Sequence, residues 1–82
     1  MEKLYCVVGN PKAEVIYAEA IFADPADILR IDSHLDAMSD TVGGAEPGVE
    51  VIEHVYRADT YTWAEALDMF CTEMEEVAKG NE

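Results

Sequence analysis

Carboxylates are the side chains with the most chemical potential in this chain. Asp32, Asp36 and Asp40 recur every four residues. On a helix such residues are neighbours, about 5–6 Å apart between Cβ atoms. Glu65, Asp68, Glu75 and Glu76 make a second row, joined by Glu73 nearer its edge. Few basic residues neutralise either row. Rows of negative charge on a rigid scaffold can imitate a phosphate backbone. Lysines and arginines placed for phosphates accept carboxylates through the same bidentate geometry. The plainer use of the same charge is a solvated surface that keeps a small protein soluble. The signal is one of quantity rather than pattern, and it leaves both readings open.

Other chemistries lack their residues. His34, His54, Cys6 and Cys71 include no close pair such as C-x2-C or H-x3-H, so no metal ligand is expected. A nucleophilic thiol needs a nearby base and positive surroundings, whereas the field of this chain is negative. Paired carboxylates for hydrolysis are available throughout, but nothing marks a cleft. Gly43-Gly44 lacks the lysine that follows in a phosphate loop. The chain therefore reads as a non-enzyme with no catalytic residue and no cofactor. Tyr61 and Trp63 could anchor an interface, although Trp63 heads an apolar stripe and reads first as core.

The formal net charge is −13, from 18 acids against 5 bases. Such a surface repels nucleic acid and anionic membranes and attracts basic proteins. Adaptation to high salt is a second explanation. No apolar run approaches the roughly 20 residues of a membrane span, and no signal peptide is visible at the N-terminus. Cys6 and Cys71 read as free and buried. The expected compartment is the cytoplasm, that of the host cell if the chain is phage-encoded.

One domain spans 1–82. Residues 3–8 read as a strand, 9–12 as a turn, and 14–22 as a second strand. The β-branched and aromatic residues and the hairpin spacing favour strand over helix for the latter. Asp24-Pro25 suits a helix start, with Ile28, Ile31, Leu35 and Met38 as its buried stripe. The run 41–48 is a loop, 49–58 a third strand, and 62–79 a helix. That last helix carries Trp63, Leu67, Phe70, Met74 and Val77 on one face, and Thr62 with Glu65 forms a capping box at its start. Residues 80–82 should fray.

The predicted fold is α+β, β-β-α-β-α, a three-stranded mainly antiparallel sheet with two helices on one face. The opposite face would then expose Val15, Tyr17, Ile21, Val51 and Val55 beside charged neighbours. Apolar patches of that kind point to a second subunit, hence a homodimer through the sheet. Loops over that face, or a reversed assignment of the faces, would explain it equally.

In length, charge, acidic helix faces and lack of catalytic motifs, the chain resembles the small acidic anti-CRISPR proteins of phages that act as DNA mimics. The resemblance covers composition and helix faces, not an aligned stretch. It implies an inhibitor that occupies the basic nucleic-acid-binding surface of a host defence complex such as a CRISPR-Cas effector. Asp32, Asp36, Asp40, Glu65, Asp68, Glu75 and Glu76 would stand in for phosphates. An immunity protein or antitoxin covering a basic nuclease toxin fits the same physics. A salt-adapted structural dimer fits the composition.

Overall fold

In the computed structural model, which describes residues 1–80, the chain runs β1 (Glu2–Asn10), β2 (Val15–Ala23), α1 (Ile28–Thr41), β3 (Ile52–Arg57) and α2 (Trp63–Gly80). The strands form one antiparallel sheet in the order β2-β1-β3. The expected fold class and element order are therefore present. Asn81 and Glu82, expected to fray, lie outside the described residues, and Gly80 closes α2.

The helices do not share a face. Leu4, Cys6 and Val8 of β1 pack under Ile31, Leu35, Met38 and Val42 of α1. Tyr5 and Val7 pack under Ala66, Phe70 and Met74 of α2. The reason lies in β1, which is apolar at every position from Leu4 to Val8 and buried throughout that run. Successive strand residues point to opposite faces, so a central strand of this kind requires a layer on each side. The face expected to carry a second subunit is the seat of α1, with Tyr17, Ile21, Val51 and Val55 packed against that core. Val15, at the end of β2, stays 42% exposed.

Several boundaries shift for local reasons. Asp24 and Pro25 form a turn ahead of the helix, in which Asp24 Oδ1 accepts from the Ala26 N–H at 2.9 Å. Asp27 is the N-cap and accepts from the Arg30 N–H at 3.3 Å. Ile28, expected in the buried stripe, is 65% exposed in the first turn, before the helix settles on the sheet. The third strand starts at Ile52 rather than Val49, because β1 ends at Asn10 just past the Gly9–Ile52 pair. Asn10 is buried; its Nδ2 donates to the Val42 carbonyl at 3.0 Å, and its Oδ1 accepts from the Ala13 N–H at 3.2 Å. One side chain thus ties the hairpin turn to the C-cap of α1. Glu14 takes φ 55° to close that turn, a left-handed conformation uncommon for a residue other than glycine.

The capping box of α2 forms. The Thr62 N–H donates to Glu65 Oε1 at 3.0 Å, and the Glu65 N–H donates to Thr62 Oγ1 at 3.1 Å. We predict that Thr62→Ala lowers stability by about 1 kcal/mol, read as a shifted urea midpoint. An unchanged midpoint would mean that the box is not needed to start α2. Among the described residues no helix is long and apolar enough to cross a membrane.

Candidate acidic interface

Helical spacing divides the outer surface of α1 into two flanks beside its buried stripe. Arg30, Ser33, His34 and Ala37 flank one side and border a hollow with Ile21 of β2. Asp32 and Asp36 each follow a buried residue by one position and lie exposed on the other flank, toward β3, while Asp40 stands exposed on the outer crest of the helix. Glu53 of β3 reaches the same place. Its carboxyl is pushed above the ordinary range by burial, then by the negative charges of Asp36 and Asp32. Asp32, Asp36 and Glu53 share one side of the molecule, and Asp40 continues the row along the crest of α1. None of them makes an ion pair among the described residues. Arg57 borders this region beside Asp32, but its guanidinium is committed to Glu2, to which both Nε and Nη2 donate, and lies 3.7 Å from Asp59.

On α2 the expected row breaks up. Glu65 is held in the capping box, and the hydrogen bonds from Thr62 lower its carboxyl below the ordinary range. Glu73 lies 3.5 Å from His54 Nδ1 on β3. Glu75 borders a groove with Glu14 and Ile16 on the β2 side. Two positions apart on a helix means about 200° of rotation, so Glu73 and Glu75 lie on opposite flanks. Asp68 and Glu76 remain exposed between them. Because α1 and α2 cover opposite faces of the sheet, a flat partner surface laid on one helix does not meet the outward acids of the other.

The remaining reactive side chains are dispersed. Cys6 is buried under α1, where burial and then Glu19 push its thiol up, while Cys71 is exposed on α2. They sit on opposite sides of the sheet and both are free, which corrects the expectation of two buried thiols. His54 is exposed and stacks on Tyr56 at 4.1 Å rather than entering the core. His34 stands 3.7 Å from Glu19. Trp63 is 39% exposed and meets the Tyr5 ring edge-on at 4.8 Å. Among the described residues no three His, Cys, Asp or Glu side chains converge as a metal site.

Four-residue spacing puts Asp32, Asp36 and Asp40 in one row along α1, but the sequence reading missed Glu53. Strand parity puts Glu53 on the face of Val51 and Val55. Seating α1 on that face would have joined Glu53 to the row. Compared with known proteins, the chain matches no family model, no curated sequence and no solved structure.

Proposed function

We propose that this chain is a protein-binding inhibitor acting as a nucleic-acid mimic, whose α1–β3 carboxylates occupy the basic nucleic-acid-binding surface of a partner. The observation that supports it is the group Asp32, Asp36, Asp40 and Glu53, gathered from two elements and left without ion-pair partners among the described residues. Successive aspartates rise about 6 Å along the helix axis, against one charge per about 3.4 Å of axis for each DNA strand. The ridge is thus a short and sparse surrogate, matched to a few phosphate-binding side chains rather than a long groove. Its acids lie on a helix packed into the core at Ile31, Leu35 and Met38, so little ordering cost falls on binding. The resemblance to small acidic anti-CRISPR proteins extends the proposal to a host defence complex such as a CRISPR-Cas effector.

Reversing Asp32, Asp36 and Glu53 to lysine tests the site. All three are exposed, so the circular dichroism should be retained. Affinity for the basic partner should fall by about 100-fold or more, since like charges set against each other cost several kcal/mol. The reversal of Asp68, Glu75 and Glu76 alters the same number of charges on the other side of the sheet and should cost much less. Equal losses from both sets would reduce the effect to net charge. Full binding by the folded α1–β3 variant would overturn the assignment.

A further inference from the structure

We propose that β2 is a docking edge, which takes up an extended, basic segment of a partner protein as a fourth strand. β2 pairs with β1 along all nine residues, Val15 to Ala23, without a bulge, and its other side has no strand partner among the described residues. Edges of this length are normally blunted by lysine, proline or a bulge. β2 has none of these; its one charge is Glu19.

Part of the strip beside this edge is also uncovered. α2 packs on β1 and β3 and reaches only the start of β2, at Ile16 and Ala18. Ala20 is therefore exposed and Phe22 is 62% exposed on that face. Ala20 is small, so a large apolar side chain on an added strand could lie across it beside Phe22. On the α1 face the added strand would pass Tyr17, Glu19 and Ile21. A basic residue belongs beside Glu19, which His34 approaches only to 3.7 Å; Glu14 and Asp24 at the two ends of β2 extend the negative field, set against Arg30 bordering Ile21. Ladder hydrogen bonds supply the affinity in strand addition, and alternate side chains supply the specificity.

Charge decides the occupant. A second copy would bring another −13 to the edge, and the register that pairs all nine residues sets Glu19 against its own copy. Like charges directly opposite destabilise a strand pair. A basic segment meets neither obstacle. This edge is separate from the α1–β3 ridge, and its test does not depend on that ridge.

The probe is a synthetic nine-residue peptide alternating valine and threonine about a central lysine, titrated into the isotope-labelled protein. Amide shifts and slowed hydrogen exchange should concentrate on β2. N-methylation of alternate peptide bonds should weaken binding by about tenfold or more, the scale of one or two lost hydrogen bonds. Replacing the peptide's lysine by glutamate should weaken it similarly. Four results would each overturn the proposal: no change at β2 at millimolar peptide, shifts confined to the acids of α1, indifference to N-methylation, or a protein already dimeric through β2 by sedimentation and exchange.

Discussion

Phe70→Ala should remove most of the protein's stability and bring it close to its unfolding midpoint at room temperature. Phe70 is the largest fully buried side chain of the protein's described residues and sits in the layer between α2 and the sheet. Truncating a buried phenylalanine costs about 3–5 kcal/mol, whereas small domains have only about 5–15 kcal/mol in total. A chain of 82 residues sits toward the low end of that range. The layer also has few other large members, chiefly Tyr5, Tyr56 and Met74, so the cavity has little around it to collapse. Urea unfolding followed by circular dichroism should show the loss, and Phe70→Leu should recover part of it. A cost below about 1 kcal/mol would mean that α2 is not anchored on the sheet as described.

Gly9→Ala should destabilise by about 1–3 kcal/mol, and Gly9→Val by more. Strand propensity alone argues the reverse, because glycine in a strand is worse than alanine by about 0.5–1 kcal/mol. Overpacking decides the sign. A Cβ at Gly9 would overlap Met74 Sδ and stand 2.7 Å from Cε1 of the fully buried Phe70. The methionine can move; the aromatic ring, held in a closed layer, has little room. Met74→Ala in the Gly9→Ala background should therefore cost less than the two single changes added together, a coupling that a double-mutant cycle would read. Strict additivity, or a stabilised Gly9→Ala, would contradict the close seating of α2 on β1.

The legible part of this fold was the part governed by periodicity. Phe70 and Met74, and Ile31, Leu35 and Met38, stand at helical spacing, and all are buried. Thr62 and Glu65 marked a helix start by a local hydrogen-bond pattern that forms. Strand parity also separated the two faces correctly. What periodicity does not carry is how the layers stack. The unbroken apolar run of β1 was the available sign of a two-sided sheet. Once two helices are spread over both faces, the patch of Tyr17, Ile21, Val51 and Val55 becomes core. The same misplacement hid Glu53 from the acidic row, while the row on α2 shrinks for a separate reason, since Glu65 and Glu73 are used locally. Gly9 gave no signal, since the need for a missing side chain arises only from the approach of Phe70 and Met74.

The central claim is that the carboxylates of α1 and β3 take the place of phosphates. Competition with DNA for the captured partner tests it most directly. The protein, immobilised, would be offered lysate at about 0.1 M and about 1 M salt, between which the Debye length falls from roughly 10 to 3 Å. Double-stranded DNA would then be titrated against the bound protein, which mass spectrometry identifies. The account predicts capture of a nucleic-acid-binding protein at low salt, its loss at high salt, stoichiometric displacement by DNA, and no capture by the Asp32, Asp36 and Glu53 lysine variant. A partner that stays bound under saturating DNA, or that the variant captures equally well, would contradict it.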